Sequence, residues 1–411
     1  MCGNERKRQS DGDIPDQNGD GPDQKRPQTR SQTKPKRDAE QAANLEAARK
    51  HAEELRLRRE EALKKQPATP AGNRGDGSLH ISFLQMGQGD CCLIATPKGR
   101  VIMIDCGSDS KDSEDNAVYT KRIKDSIYTE KFLKNQNEID ILILTHPDTD
   151  HYEKAKEVLK DNVIIHNVYH SAKFPDYSAG QTSTWISSRT TDPSFIKAVT
   201  HNLLTCGFIR INDKDVLNAD ETNTVDRLDG KGGIRIVDEE NCKIAILASN
   251  VDKLYVNDNS NTTNRGSVVT LIEIFDQKLL ICGDATRSTE HYLLKNHGDR
   301  LANLCVLQAP HHGSNNTSSS QEFVDKTKPI NVVMSAGKKV DKDHLPSEDT
   351  IVRYENCQAL SKRSEVPEHE IFYWEKGSMG SYSNTSKFTK RAVYITGSNG
   401  TFSQRFEQPS T

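Results

Sequence analysis

The segment His146–His151 restricts what this chain can fold into more than any other part. Its sequence, HPDTDH, brings two histidines and two aspartates together directly after the apolar run 139–145. Such a run predicts a buried β-strand. A strand that ends in His and Asp presents these side chains from a stiff support, and imidazole and carboxylate are ligands of hydrolytic metals. We therefore predict one or two bound divalent cations that activate a water molecule.

The N-terminal region differs in composition from the rest of the 411-residue chain. Residues 1–37 contain almost no aliphatic side chains, which predicts a disordered tail. Residues 38–65 contain no Gly or Pro and have several Glu–Lys and Glu–Arg pairs at i,i+4, which predicts a charged helix. This helix is interpreted as a solvated spacer or, alternatively, as a dimerisation helix, and the region could bind a protein partner. After a linker that ends near residue 77, we predict one hydrolase domain at 78–404.

Charge, leader sequence and cysteine content limit the protein class. The net charge of −3 is too small to argue for or against nucleic acid. The first residues lead into no apolar stretch, and no run approaches the roughly 18 apolar residues of a membrane span. The nine cysteines have no CxxC spacing and are expected to be reduced. These features favour a cytoplasmic location without membrane insertion.

The pattern of apolar residues predicts a mixed α/β domain. Strands are predicted at 80–84, 91–95, 101–105, 139–145, 163–169, 304–308 and 332–335, and helices at 119–135, 154–160 and 289–296. Residues 234–282 are interpreted as mostly short strands, and residues 371–402 as two strands around a loop. The stretch 171–193 is polar and is interpreted as a loop.

Four further motifs, most of them beside a predicted strand, resemble parts of a catalytic site. Taken singly, an Asp at a strand end is more often a turn residue than a ligand. The order of the motifs is what makes them informative. They are GQGD at 87–90, IDCG at 104–107, CGDA at 282–285 and APHHGS at 309–314, the last followed by HLP at 344–346.

This set of motifs resembles the metallo-β-lactamase-fold hydrolases, and among them the soluble hydrolase domain of ComEC-type competence proteins. The resemblance covers about residues 78–402. It implies an α/β fold, a four-layer αββα sandwich with a metal site at one edge. It also implies one or two divalent cations, with Zn²⁺ or Mn²⁺ as the leading candidates.

The resemblance further implies a role for each motif residue. His146 and Asp148 would bind a first metal, Asp150 and His151 a second, and Asp284 would bridge both. His344 would complete the second site, and Asp105 would orient ligands through hydrogen bonds. His311 and His312 would line the pocket and act on the substrate. The candidate catalytic residues are therefore Asp105, Asp150, His311 and His312.

One ligand of the commoner pattern is missing. Many relatives have a further histidine shortly before the strand that leads to the bridging Asp, and here the stretch 262–267 contains none. Asn264 could supply a carbonyl oxygen in its place, and His170 is an alternative. Asp148 stands where a histidine is commoner, which favours Mn²⁺ or Mg²⁺ more than an all-histidine site would.

The leading functional hypothesis is a metal-dependent phosphodiesterase or nuclease. The alternatives are a small-molecule ester or cyclic-nucleotide hydrolase and a non-catalytic metal-binding partner protein. For a nucleic-acid substrate, Lys173, Arg189, Lys338 and Lys339 could contact phosphates, and Tyr177 or Trp185 could stack on a base. The alternative interpretation of these residues is an ordinary solvated loop.

Overall fold

The computed structural model describes residues 75–108, 116–134, 136–200, 224–228, 233–253, 258, 260–338, 344–361 and 366–409, together with residues 46 and 50. The chain divides into two compact units, Met1–Glu53 and Glu54–Thr411. In the first unit only Glu46 and Lys50 are described, and both are helical. The predicted tail, most of the charged helix and most of the linker therefore lie outside the described residues, and the boundary at residue 77 stays a prediction.

Eight strands form the first sheet, in the order β17-β1-β2-β3-β4-β5-β6-β7. They are β1 (Leu79–Phe83), β2 (Cys92–Ala95), β3 (Val101–Ile104), β4 (Glu138–Leu144), β5 (Ile164–His170), β6 (Ile196–Thr200), β7 (Thr224–Arg227) and β17 (Phe402–Phe406). Strands β3 to β7 run parallel to one another, whereas the pairs β17–β1, β1–β2 and β2–β3 are antiparallel.

Seven strands form the second sheet, in the order β16-β13-β12-β11-β10-β9-β8. They are β8 (Ile234–Glu239), β9 (Cys242–Ala248), β10 (Val269–Ile274), β11 (Gln277–Ile281), β12 (Val306–Gln308), β13 (Asn331–Met334) and β16 (Val393–Ile395). Strands β11, β12, β13 and β16 are parallel to one another. A separate hairpin pairs β14 (His369–Lys376) with β15 (Tyr382–Thr389).

The helices are short and connect the strands. They are α1 (Asn116–Ile127), α2 (Ala155–Val158), α3 (Thr182–Arg189), α4 (Thr262–Arg265), α5 (Arg287–His297), α6 (Gln321–Thr327), α7 (Glu348–Glu355), α8 (Gln358–Ser361) and α9 (Thr396–Asn399). The predicted helix 119–135 ends at Ile127, and a turn follows at residues 128–134. Among the described residues, no helix is long and apolar enough to cross a bilayer.

Three groups of buried side chains divide the domain into four layers. One group fills the space between the two sheets, and the others lie between each sheet and its helices. Strand β4 shows the principle, because Ile141 and Ile143 face the second sheet whereas Leu142 and Leu144 face α1 and α2. This alternation follows from the two-residue period of a strand, and both faces are apolar because both are covered. The predicted αββα sandwich is confirmed.

Candidate metal centre

Two sets of parallel strands place the motif residues at strand carboxyl ends. In the first sheet, Asp105 follows β3 and the segment His146–His151 follows the neighbouring strand β4. In the second sheet, Asp284 follows β11, and the pair His311–His312 follows the neighbouring strand β12. Because parallel strands end at the same edge of a sheet, the loops within each sheet lie side by side.

The carboxylate of Asp284 lies at the centre of this group. Its Oδ1 is 3.2 Å from Nε2 of His151 and 3.4 Å from Nε2 of His312. Its Oδ2 is 3.6 Å from Nε2 of His146 and 3.4 Å from Nε2 of His311. Each oxygen of one buried carboxylate therefore faces two imidazole nitrogens.

The site accordingly has two halves, which we name after the oxygens of Asp284. The Oδ1 half contains His151, His312 and Asp150, whose Oδ2 lies 3.1 Å from Nε2 of His312. The Oδ2 half contains His146, His311 and Asp148, whose Oδ2 lies 3.4 Å from Nε2 of His146. Each half offers two imidazole nitrogens, one aspartate of its own and one oxygen of Asp284.

The two consecutive histidines reach different halves because of their backbone. His311 and His312 have φ of 51° and 53°, in the left-handed region that few residues other than glycine adopt. This conformation is costly for a side chain with a Cβ and is found where the surrounding structure enforces it, often at functional sites. Both residues were predicted to line the pocket, and the structure adds that each faces a different oxygen of Asp284.

Hydrogen bonds orient the histidines of the Oδ1 half. Nδ1 of His151 donates to Oδ2 of Asp105 at 2.8 Å, and Nδ1 of His312 donates to the carbonyl of Ser335 at 2.7 Å. Asp105 is itself held by the amide N–H and the hydroxyl of Thr145. With Nδ1 engaged as a donor, Nε2 is the atom available to a cation, which is the usual arrangement around metal-binding histidines.

Several buried polar atoms of the site lack a hydrogen-bond partner. They are Nε2 of His146, Nε2 of His151 and Oδ1 of Asp284. Burying polar atoms without partners is unfavourable, so such atoms suggest an additional group. Ligands at about 2.0–2.2 Å from one cation lie about 3.0–3.5 Å apart. Most separations across the two halves fall in or near this range, so the residues present fit divalent cations.

Charge within the cluster shifts the pKa of its members strongly. Burial lowers the pKa of His312, but the carboxylates of Asp284, Asp150 and Asp90 outweigh burial and raise it to about 10. Burial raises the pKa of Asp284, yet the histidines around it hold this pKa well below its ordinary value. The pKa of Asp150 falls to about 2, because His151 and His312 outweigh the effect of its burial. These pKa shifts therefore reflect mutual attraction between buried carboxylates and the imidazoles beside them.

Asp90 is a member of the cluster that sequence reasoning missed. Carboxylate or imidazole atoms of Asp90, His151, Asp284 and His312 lie within 4.8 Å of one another, a grouping that could hold a metal. However, Oδ2 of Asp90 lies 3.7 Å from Nδ1 of His151 and 3.9 Å from Nδ1 of His312, on the side of each ring away from Asp284. Its Oδ1 accepts from Nε2 of Gln308. Asp90 therefore lies behind the two rings, where its carboxylate raises the pKa of His312 without a hydrogen bond to either ring; its place in the GQGD motif was the available signal.

His344 lies against aromatic side chains. Its ring stacks on Tyr382, with centroids 4.1 Å apart, and meets the edge of Trp374 at 4.8 Å. Among the described residues, no carboxylate oxygen lies within 4.0 Å of its ring nitrogens, whereas His312 has three such neighbours. The assignment of His344 to the second metal stays a prediction, and His312 is the better-placed residue.

Three other residues with a predicted role lie in the core. His170 was a candidate metal ligand, and Tyr177 and Trp185 were candidates for stacking on a base. His170 donates from Nδ1 to the carbonyl of Ala172 and packs on Phe174 and Tyr177, and burial lowers its pKa to about 4. Tyr177 is 0% exposed and Trp185, which lies in helix α3, is 7% exposed, and both pack in the core beside the first sheet. The hypothesis that these two side chains stack on a base is therefore wrong, because neither ring has an exposed face.

Comparison with known families agrees with the fold. The model of the metallo-beta-lactamase superfamily matches residues 84–231, which include the segment His146–His151 but not Asp284 or the His311–His312 pair. No curated protein sequence matches the chain significantly. The match, the two packed sheets and the histidine–aspartate cluster together define a metallo-β-lactamase-type domain with a candidate site for divalent metals.

Several solved structures resemble this chain at low identity and low TM-score. CmlA, a diiron β-hydroxylase from Streptomyces venezuelae, has a TM-score of 0.38 and 11% identity over 79% of this chain and 54% of its own. The short form of human tRNase Z has a TM-score of 0.38 and 12% identity over 62% of this chain and 91% of its own. An isothiocyanate hydrolase from Delia radicum gut bacteria has a TM-score of 0.37 and 10% identity over 75% of this chain and 100% of its own. This chain thus spans about half the length of CmlA.

Proposed function

We propose that the protein is a metal-dependent hydrolase that cleaves phosphodiesters, with nucleic acid as one possible substrate class. The observation that carries the proposal is the position of Asp284 between four imidazole Nε2 atoms, two facing each of its oxygens. The cations that fit this donor set supply Lewis acidity and an acidified water. Zn²⁺ and Mn²⁺ both suit a mixture of imidazole and carboxylate donors.

The role of each side chain in the proposed reaction follows from its position. Asp105 keeps His151 in one tautomer, and the carbonyl of Ser335 does the same for His312. Asp148 is 41% exposed and His311 is 20% exposed, whereas His146 and His151 are fully buried. We infer that substrate approaches from the side of Asp148 and His311, where solvent already reaches the centre.

A phosphodiester suits this arrangement better than a carboxylic ester. In an in-line displacement at phosphorus, the attacking and leaving oxygens both need stabilisation, and two neighbouring positive centres can serve both. The two halves share one carboxylate, which keeps such centres close together. The order of the sequence motifs, which resembles the hydrolase domain of ComEC-type proteins, supports the same choice.

The proposal is tested with substrates that share one leaving group. Bis(p-nitrophenyl) phosphate, p-nitrophenyl phosphate and p-nitrophenyl acetate are compared for wild type, His146→Ala and Asp284→Ala, with metal content measured by mass spectrometry. We expect wild type to hydrolyse the diester fastest, and both variants to lose turnover and metal while keeping the fold. Full activity in either variant, or in wild type stripped of metal, would contradict a metal-dependent mechanism. A preference for the acetate would contradict the phosphodiester assignment alone.

A further inference from the structure

The two halves of the centre differ in how deeply their candidate metal ligands are buried. In the Oδ1 half, the side chain of Asp150 is 17% exposed and that of His312 is 2% exposed. In the Oδ2 half, Asp148 is 41% exposed and His311 is 20% exposed. A more exposed donor is better solvated and less constrained once its cation has left. Releasing the cation therefore costs less free energy. The Oδ2 half is therefore expected to bind its cation less tightly.

Hydrogen bonding increases the expected difference in cation affinity between the two halves. The histidines of the Oδ1 half donate to a carboxylate and to a backbone carbonyl. In the Oδ2 half, the hydroxyls of Thr145 and Ser267 are the partners of Nδ1 of His146 among the described residues, at 3.1 Å and 3.3 Å. Nδ1 of His311 meets the hydroxyl of Thr317 at 2.6 Å and Nδ2 of Asn264 at 3.4 Å, which are both neutral groups. A neutral hydroxyl increases the basicity of imidazole less than a carboxylate does.

Asn264 also reaches the Oδ2 half, where it adds an amide to the hydroxyls of Thr145, Ser267 and Thr317. It lies in the one-turn helix α4, where its N–H donates to the side chain of Asn261, the N-cap residue. The residue is 5% exposed. Its Nδ2 lies 3.1 Å from Nε2 of His311, and its Oδ1 is buried without a hydrogen-bond partner. The amide is thus aimed at a metal-facing nitrogen, with an unused oxygen beside it.

A half-turn of this amide would exchange its two outer atoms with little change in shape, since the oxygen and the nitrogen of an amide are nearly interchangeable. The oxygen would then lie where the nitrogen is, about 3 Å from Nε2 of His311, a separation typical of two ligands of one cation. This half would then offer three oxygens, from Asp148, Asp284 and Asn264, beside two imidazoles. The Oδ1 half would offer two oxygens and two imidazoles.

We propose that Asn264 is a carbonyl-oxygen ligand of the Oδ2 half, so that this half is a weaker, Mn²⁺-preferring position beside a tighter, Zn²⁺-preferring one. Oxygen donors and a higher ligand number favour Mn²⁺ or Mg²⁺, whereas four mixed donors suit tetrahedral Zn²⁺. This inference rests on the proposed metal-dependent function and specifies which residue distinguishes the two positions.

The test is a metal titration of the full-length protein that does not depend on catalysis. Protein loaded with one equivalent of Zn²⁺ is titrated with Mn²⁺, and free Mn²⁺ is followed by electron paramagnetic resonance. We expect Asn264→Ala to weaken Mn²⁺ binding at least tenfold and Asn264→Asp, which keeps an oxygen donor, to restore or tighten it. Thr263→Ala, in the same turn, serves as the control for local disruption, and thermal unfolding checks that each variant is folded.

The possible outcomes separate the inference from the proposed function. Unchanged or tighter Mn²⁺ binding by Asn264→Ala would overturn the inference, because the amide would then be irrelevant or a competitor. An Asn264→Asp variant as weak as Asn264→Ala would also overturn it, since the amide would then act only as an N–H donor to His311. Failure of wild type to bind either cation would instead overturn the metal-dependent function itself.

Discussion

Nδ1 of His151 donates to Oδ2 of Asp105 at 2.8 Å, although the two residues are 46 positions apart in the sequence. The bond joins the segments that follow β3 and β4, which are neighbouring parallel strands. It leaves Nε2 of His151 directed at Asp284, 3.2 Å from Oδ1. Asp105 thus acts on the candidate metal centre through the orientation of one imidazole, without contributing a ligand atom itself.

Replacing Asp105 should therefore weaken metal binding without removing a ligand. We expect Asp105→Ala to lower Zn²⁺ affinity about 10- to 100-fold, as is usual when the partner of a metal-binding histidine is lost. Asp105→Asn keeps an acceptor but no charge, so its affinity should fall between those of wild type and Asp105→Ala. Competition with a chromophoric chelator measures these affinities. Equal affinity in all three proteins would show that the hydrogen bond does not orient His151 for metal.

Much of the fold could be predicted from the sequence because its strands are unusually apolar. Strand β4 contains four consecutive buried aliphatic residues, and this run alone was enough to predict a buried strand. The position of Asp105 and Asp284 at strand ends was equally visible. These elements follow from local chemistry, and the order of the motifs then indicated how the strands assemble.

The remaining features of the site and the fold depend on tertiary contacts, which cannot be read from the sequence. The left-handed backbone of His311 and His312 sends consecutive side chains to different oxygens of Asp284, and no residue pattern indicates this. Asp90 was visible as part of a motif, but its position behind the two rings requires both sheets. The stretch around Trp185 is polar in composition, yet its few apolar residues are buried against the first sheet.

The competing assignments of His312 and His344 can be separated by paired substitutions. Because Nε2 of His312 faces both Asp284 and Asp150, we expect His312→Ala to reduce bound metal by one equivalent. The ring of His344 stacks on Tyr382, so His344→Ala should leave the metal content unchanged. Metal content by mass spectrometry after equilibrium dialysis is the measurement. Loss of metal in His344→Ala, with none in His312→Ala, would restore the ligand assignment made from the sequence.

Gly107 should be essential for the position of the metal-binding loop. A Cβ at this residue would lie 2.3 Å from the carbonyl carbon of Asp150 and 2.4 Å from the backbone nitrogen of His151. Backbone atoms cannot move aside cheaply, so we expect Gly107→Ala to destabilise the fold by about 1–3 kcal/mol or more. Metal content should fall with it, because the loop that carries His151 must shift.

Denaturant unfolding of Gly107→Ala, alongside Gly377→Ala as the matched control, measures this effect. At Gly377 the nearest obstacle to a Cβ is the hydroxyl of Ser381, which can rotate away. The control should therefore unfold close to wild type. Equal stability of the two variants would mean that the loop yields more readily than its close backbone contacts indicate.

The stability of the domain should depend on pH through Glu290, a buried carboxyl outside the metal centre. Burial raises the pKa of Glu290 from 4.5 to about 7, despite the N–H groups of Ser320 and Ser319, which donate to it and favour the ionised form. Between these two pKa values, the unfolded chain releases a proton that the folded protein retains. The free energy of unfolding therefore falls as pH rises through this window, by up to about 3 kcal/mol, and this contribution is constant above it.

Glu290→Gln removes the titration while keeping the size of the side chain, although it loses one of the two N–H acceptors. We expect the variant to be less stable than wild type at pH 5 and to lose less stability between pH 5 and pH 8. Urea unfolding at several pH values, in the presence of chelator so that metal binding does not contribute, measures the difference in slope. The exposed Glu322→Gln should follow the wild-type slope. If Glu290→Gln also follows it, then Glu290 is ionised in the folded protein across this range, and its two N–H donors outweigh its burial.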